Sequence, residues 1–304
     1  MARSKSAQRA RSLPPTERIH PASLELDRLS AREIVQRLHD EDEAAVRAVA
    51  RAVPQIARAA EAARDALAAG GRIVYVGAGT SGRLGVLDAA ECPPTFGARP
   101  DQVIALIAGG LPALHRAVEG AEDDARDGAQ QIRRARVRAR DLVIGISASA
   151  STPYVLGALR QARQARARTA LISCTPSARD RTVAEIVIAL DTGPELIAGS
   201  TRLKAGTATK LALNAISTAA FVRLGKVYRG RMVDLRPTNA KLRARAHRIV
   251  TELTGLPDRE ARTLLVRARG SPRLAVAMHL TGLAPRGAAR ALAECGLRGL
   301  EPPR

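Results

Sequence analysis

The chain has 304 residues, and its 49 Lys and Arg against 29 Asp and Glu give a formal net charge of +20. Its 46% hydrophobic content is typical of a folded chain, and no stretch reaches the roughly 18 uninterrupted apolar residues that a membrane span needs. Nucleic-acid binding is disfavoured despite the charge, because single-strand binders use aromatic stacking platforms and this chain has no Trp, two Phe and three Tyr. The positive charge favours small anionic substrates instead.

The cysteines and the N-terminus predict a compartment. Cys92, Cys174 and Cys295 are too few and too scattered for a disulfide framework or a structural zinc site, so we expect a reducing cytoplasm. Residues 1–17 are basic, polar and interrupted by proline, and we expect a disordered arm there. They lack the apolar core of a secretory signal, although an Arg- and Ser-rich start also resembles a transit peptide.

The first regular pattern along the chain is helical. From Glu41 onward, apolar residues recur at spacings of three and four, which predicts an amphipathic helix. Pro54 is expected to kink or split this helix, and Gly70 and Gly71 are expected to end it. The apolar stripe consists of Val46, Val49, Val53, Ile56, Ala60, Ala63 and Leu67.

Five short apolar runs come next and predict strands. Continuous apolar strands that alternate with helices indicate a parallel sheet covered on both faces, hence an α/β fold. Five strands favour the flavodoxin-like order, with a ligand site beyond the carboxyl ends of strands one and three. The runs are residues 72–76, 103–107, 142–146, 169–172 and 186–190.

Two loops rich in Gly, Ser and Thr follow strands one and three. The first, residues 77–82, has the Gly-x-Gly-x-x-Gly spacing of dinucleotide-binding loops, but residues 108–110 at the end of strand two lack the acidic residue that would hold a ribose. We therefore disfavour NAD, and the absence of a GxxxxGK[ST] motif disfavours an ATPase. Backbone N–H groups at a helix start, with hydroxyls beside them, suit a phosphate monoester. The candidate phosphate-binding residues are Gly79, Thr80, Ser81, Ser147, Ser149, Ser151 and Thr152.

The alternative is that both loops are only tight strand-to-helix turns with capping residues and bind no ligand.

After the sheet, helices are predicted over residues 200–224 and 240–254, and two or three short helices over 257–304. The predicted domains are the arm at 1–17, the α/β domain with flanking helices at 18–255, and a small helical module at 256–304.

Four stretches of the chain resemble the signatures of N-acetylmuramic acid 6-phosphate etherases, which have the sugar isomerase (SIS) fold. They are residues 76–98 (VGAGTSGRLGVLDAAECPPTFGA), 107–124, 193–215 (GPELIAGSTRLKAGTATKLALNA) and 224–243. The earlier segment 20–31 is also similar. The resemblance extends over residues 16–255. The vertebrate glucokinase regulatory protein shares the fold and part of these motifs, so the resemblance alone does not decide between a lyase and a regulator.

The resemblance implies a reaction and two carboxylates. The lactyl ether of N-acetylmuramic acid 6-phosphate would be cleaved to N-acetylglucosamine 6-phosphate and D-lactate by elimination and then hydration, which needs an acid and a base but no metal or redox cofactor. Matching ECPPT assigns Glu91 as the proton donor, and matching GAED assigns Glu122 as the other active-site residue, which we expect to be the C2 base. The resemblance also implies a homodimeric cytoplasmic enzyme of cell-wall sugar recycling.

The residues themselves add detail to these assignments. Glu91 is expected to end a short helix over residues 81–90, where the negative end of the helix dipole suits a general acid. Glu119 is expected three residues before Glu122 on one helical face and is a weaker candidate. Lys204 and Arg202, before a polar helix, are candidates for the substrate phosphate, with Lys204 preferred. The five histidines show no metal-ligand spacing.

The second loop departs from the family pattern. The family usually reads S-G-R-T-P-Y where this chain has Ser149-Ala150-Ser151-Thr152-Pro153-Tyr154, and an Asn commonly stands where this chain has Thr175. The changes at Ala150 and Ser151 favour a second hypothesis, a non-catalytic sugar-phosphate sensor, whereas the presence of both Glu91 and Glu122 favours the enzyme. A phosphosugar isomerase, which needs no acid for an ether oxygen, is the third.

Overall fold

The computed structural model describes residues 13–176, 183–235, 237 and 239–301, so residues 1–12 of the predicted arm lie outside the described part. Five strands form the sheet: β1 (Ile73–Gly77), β2 (Val103–Ile107), β3 (Leu142–Ile146), β4 (Arg168–Ser173) and β5 (Ile186–Ala189). The helices are α1 (Ala31–Ala68), α2 (Gly79–Phe96), α3 (Ala125–Arg134), α4 (Pro153–Gln164), α5 (Lys204–Arg223), α6 (Ala240–Thr254), α7 (Asp258–Arg267), α8 (Pro272–Thr281) and α9 (Pro285–Gly299). None of the helices that the structure describes is long and apolar enough to cross a bilayer.

The sheet confirms the predicted fold class. All neighbouring strands are parallel, in the order β2-β1-β3-β4-β5. β1 and β3 are buried along their whole length, as expected for central strands that are covered on both faces. The carboxyl ends of β1, β2 and β3 therefore meet at one edge, where the chain order reverses.

The chain divides into two compact units. The first comprises Met1–Ala90 and Asp101–Ala219 and contains the sheet, and the second comprises Glu91–Pro100 and Ala220–Arg304 and contains α6 to α9. In the second unit the four helices enclose their own apolar core, which includes Val233, Ile249, Val250 and Val276. Lys226 and Arg273 both bind the Asp234 carboxylate beside this core. The predicted boundaries at residues 17 and 255 stay predictions.

The helix α1 corrects the expected apolar stripe and excludes one of the two outcomes expected at Pro54, the split. It is not split at Pro54, since one helix runs from Ala31 to Ala68. Pro54 and Ala50, whose carbonyl loses its donor, are both exposed, so water can replace the missing bond. In the first half of the predicted stripe, alanines such as Ala45, Ala48 and Ala52 are buried instead of the valines. Small side chains let the helix approach the sheet closely, and Val46 and Val53 are left more than half exposed.

Two glycines bring α3 and α4 into close contact. A Cβ on Gly128 would lie 2.0 Å from the carbonyl oxygen of Tyr154, and a Cβ on Gly157 would lie 2.0 Å from that of Ala125. The Tyr154 hydroxyl also donates to Gln131 across the same contact, at 2.8 Å. Because α3 begins directly after the segment that carries Glu122 and α4 begins directly after the second hydroxyl-rich loop, this contact fixes the distance between that segment and that loop.

We expect Gly128→Ala and Gly157→Ala each to lower the free energy of unfolding by about 3 kcal/mol, because backbone must move to admit the methyl group. Urea unfolding of the full chain measures the loss. The matched control is Gly206→Ala, whose methyl would approach no atom closer than 3.4 Å and whose helix propensity gain is up to about 1 kcal/mol. Equal stability of all three variants would contradict this packing account.

Candidate functional site

The first candidate loop joins β1 to α2 by a very tight turn. A Cβ on Gly77 would lie 2.7 Å from the Gly82 nitrogen, and one on Gly82 would lie 2.6 Å from an Ile107 side-chain carbon. Gly79 begins α2 with a φ of 51°. The first N–H groups of a helix have no intrahelical partner, so this turn offers them, with the half-buried Thr80 and Ser81, to an anion at the sheet edge.

The second loop arranges its hydroxyl groups in two pairs. Ser147 and Thr152 share a hydrogen bond of 2.8 Å between their hydroxyl oxygens. Ser149 Oγ accepts from the Ser151 hydroxyl at 2.8 Å and from the Ser151 N–H at 3.3 Å. Ser147 is buried, Ser149 is half-buried and Ser151 is exposed. The hydroxyls are thus already oriented by one another, which lowers the cost of ordering them around a ligand.

Ala150 occupies a glycine-like conformation inside this loop. Its φ is 60°, which is unfavourable for residues with a Cβ. The residue is fully buried and belongs to the core cluster that contains Tyr154 and Val155. The methyl group that replaces the family glycine therefore packs into the protein core.

A cavity of about 250 Å³ lies at the carboxyl ends of β1 and β2 and brings three predicted residues together, Gly79, Glu122 and the weaker candidate Glu119. Glu122 is exposed and stands in the 3-10 turn Ala121–Asp123, which packs against α4, the helix that follows the second loop. The full lining is Ala78, Gly79, Arg83, Ala108, Ala113, Ala117, Val118, Glu119, Gly120, Ala121 and Glu122.

The expectation that Glu119 and Glu122 share a helical face is wrong. Glu119 precedes the 3-10 turn, and Gly120 between them adopts a left-handed conformation with a φ of 73°. The Asp124 carboxylate caps α3 by accepting from the N–H groups of Arg126 and Asp127. Glu122 is therefore presented by a short turn and not by a helix.

Glu91 belongs to the second compact unit and is exposed. The expected helix end beside it is wrong, because α2 begins at Gly79 and continues through Pro93 and Pro94 to Phe96. Pro93 still accepts a hydrogen bond, from the Gly97 N–H at 3.0 Å. Glu91 therefore lies more than one turn before the helix end, and at that distance the effect of the helix dipole is weak. The proposed role of Glu91 has to rest on other grounds.

Lys204 does not line the Gly79–Glu122 cavity. It is buried, and its ammonium group donates to the Glu41 carboxylate, which His20 Nε2 also contacts at 3.2 Å. Arg202 is exposed. Nevertheless α5 begins close to the first loop, because a Cβ on Gly206 would lie 3.7 Å from Thr80 Cγ2. The prediction that Lys204 binds phosphate stays untested.

We expect Lys204→Met to destabilise the protein by about 2 kcal/mol, because it leaves the Glu41 carboxylate without its ammonium partner. The loss is smaller than for a fully buried pair, since Glu41 is 24% exposed. Urea unfolding of both single variants and the double variant with Glu41→Gln measures the coupling. Strictly additive losses would contradict a direct ion pair.

Asp88 is a buried group that sequence reasoning missed. Its carboxylate accepts from the Tyr75 hydroxyl and the Asn214 amide at 2.8 Å each and from the Ser217 hydroxyl at 3.1 Å. Burial raises the pKa of this carboxyl group. The bonds tie α2 to β1 and α5, so Asp88 holds the helix whose start forms the first loop. The one signal lay far along the chain, in Asn214 and Ser217, two polar residues three positions apart on the alanine-rich helix α5.

The described residues provide no group of three or more His, Cys, Asp and Glu side chains that could hold a metal ion. The chemistry that this edge of the sheet supports is anion binding next to a carboxylate. Arg83, the one basic side chain among the described residues of the cavity lining, was also missed by sequence reasoning.

Comparison with known proteins shows the family. The model of the glucokinase regulatory protein N-terminal SIS domain matches residues 49–163. An N-acetylmuramic acid 6-phosphate etherase of Nostoc punctiforme is 52% identical over 279 residues, which cover 92% of this chain and 91% of that protein. The etherase of Erwinia tasmaniensis is 50% identical over 281 residues, 92% of each chain. That of Trichormus variabilis is 53% identical over 268 residues, 88% of this chain and 87% of the relative. With half of its residues identical over about nine-tenths of its length, the chain belongs to the N-acetylmuramic acid 6-phosphate etherase family.

Proposed function

We propose that the protein is a carbon–oxygen lyase that converts N-acetylmuramic acid 6-phosphate to N-acetylglucosamine 6-phosphate and D-lactate in cell-wall sugar recycling. The single observation that carries the proposal is the identity to etherases over nearly the whole chain. The geometry supports it, because Gly79 of the candidate phosphate-binding loop and the Glu122 carboxylate line one cavity. A cytoplasmic location belongs to the same proposal.

The proposed phosphate site is the edge at which β1 and β3 end. Its residues are Gly79, Thr80, Ser81, Ser147, Ser149, Ser151 and Thr152, together with Lys204, whose ammonium group would have to leave Glu41 to reach the phosphate. Two neutral hydroxyl-bearing loops and the start of α2 suit one dianionic monoester, because they supply many donors around one small group. The paired hydroxyls of the second loop support this assignment, since each needs only to turn its proton toward the phosphate.

The proposed chemistry is elimination followed by hydration. In the open-chain sugar the C1 aldehyde acidifies the C2 proton, which Glu122 removes. The C3–O bond to the lactyl group then breaks, Glu91 protonates the departing ether oxygen, and D-lactate leaves. Water adds to C3 of the unsaturated aldehyde and a proton returns to C2. No net oxidation occurs, so the step is balanced without a redox cofactor.

We also propose that the protein forms a homodimer. Val35, Val46 and Val53 leave 64%, 57% and 54% of their surfaces exposed on α1, at spacings of 11 and 7 that place them on one face of a helix. A partner helix packed along this face would cover all three side chains. Analytical ultracentrifugation tests the assembly, and Val46→Glu should favour the monomer.

The test of the proposed function is D-lactate release from N-acetylmuramic acid 6-phosphate by the purified chain. We expect stoichiometric D-lactate and N-acetylglucosamine 6-phosphate. Saturable sugar-phosphate binding without lactate would indicate a regulator, and interconversion of aldose and ketose phosphates would indicate an isomerase. Because the Ala150 methyl packs in the core, that departure no longer favours the regulator.

A further inference from the structure

Arg83 links the phosphate-binding helix start to the loop that leads to Glu122. It lies on the first turns of α2, three residues after Thr80. Its Nε donates to the Ala113 carbonyl oxygen at 2.9 Å, and its Nη2 donates to the Arg116 carbonyl oxygen at 3.1 Å. These two acceptors belong to the connection between β2 and α3.

That connection has little regular structure of its own to hold it. Between β2 and α3 it contains only the 3-10 turns Leu111–Leu114 and Ala121–Asp123 among regular elements, and Leu111 and Val118 are exposed. Three glycines, Gly109, Gly110 and Gly120, have positive φ. Such a segment depends on side-chain tethers to keep one conformation.

Two sets of contacts hold this loop in a closed conformation. At its base, a Cβ on Gly109 would lie 2.9 Å from the Val118 Cβ, which shows how closely the chain returns on itself. At its middle, the half-buried Arg83 side chain binds two main-chain carbonyls at once. A planar guanidinium with several fixed donors suits this better than an ammonium group.

We infer that Arg83 is a positioning residue for Glu122. It couples the loop to α2, so the carboxylate is held at a fixed distance from the phosphate cradle that begins the same helix. This inference rests on the proposed function, because the phosphate anchors one end of the sugar and Glu122 acts at C2. A displacement of the base by about 1 Å costs on the order of 10²-fold in rate.

The test compares Arg83→Met, which keeps the alkyl stem but removes all donors, with Arg83→Lys, which keeps one donor group. The matched control is Arg58→Gln, an exposed arginine on α1. For Arg83→Met we expect kcat to fall about 10²-fold while KM changes by no more than about 3-fold, because the phosphate cradle is intact. Arg83→Lys should recover part of kcat.

A second readout is amide hydrogen exchange of residues 111–122, with the urea midpoint confirming that each variant is folded. We expect about 10-fold faster exchange in Arg83→Met than in wild type and Arg58→Gln. A raised KM with unchanged kcat would show direct substrate binding and overturn the inference, as would unchanged exchange. Wild type that releases no D-lactate refutes the proposed function instead, so the two failures are distinguishable.

Discussion

Replacing Glu91 by Gln is expected to reduce D-lactate release from N-acetylmuramic acid 6-phosphate by 10²–10⁴-fold, the usual contribution of one positioned proton donor. Gln keeps the shape of the side chain but has no acidic proton to give to the departing ether oxygen. KM should change little, because the phosphate is held elsewhere. The measurement is the initial rate of D-lactate formation in a coupled dehydrogenase assay.

The matched control for this variant is Glu294→Gln, an exposed glutamate on α9 in the same compact unit. It should retain wild-type activity and stability. Activity of Glu91→Gln within about 3-fold of wild type would remove Glu91 from the chemistry.

Replacing Glu122 by Gln is expected to lower the rate of D-lactate release by a similar factor, because it blocks a different step of the reaction. Without the base, the C2 proton is not removed, so elimination does not begin. In deuterated water, Glu122→Gln should leave the C2 position of recovered substrate unlabelled. Glu91→Gln should still exchange that proton, because its base is intact. NMR of the recovered sugar phosphate separates the two variants.

The controls for Glu122 are its neighbours. Asp123→Asn is the matched exposed variant on the same turn, and Glu119→Gln tests the other carboxylate of the cavity. Both should retain most of the wild-type rate. The reverse labelling pattern, with exchange in Glu122→Gln and none in Glu91→Gln, would exchange the acid and base roles.

The sheet could be predicted from the sequence because continuous apolar runs have few alternatives. The strands at 103–107 and 142–146 match the structure residue for residue, and the strand order is the flavodoxin-like one expected for five such strands. The two hydroxyl-rich loops were predicted for a related reason, since parallel strands place the loops that follow them at one edge.

What could not be predicted depends on tertiary partners. Pro93 and Pro94 indicate a helix end by local rules, yet α2 continues through both. Nothing local to Arg83 or Asp88 reveals that one binds two loop carbonyls and the other three buried donors. Likewise, the positive charge of Lys204 suits a phosphate site, and only the fold shows that this side chain pairs with Glu41.

The most direct test of the account is the origin of the oxygen at C3 of the product. The wild-type reaction is run in ¹⁸O-labelled water, and the products are examined by mass spectrometry and by the isotope shift of the C3 carbon resonance. Elimination followed by hydration predicts that D-lactate keeps the ether oxygen and carries no label, while C3 of N-acetylglucosamine 6-phosphate carries ¹⁸O. Labelled lactate with an unlabelled C3 oxygen would mean that the bond on the lactyl side had broken, which would contradict the proposed lyase mechanism.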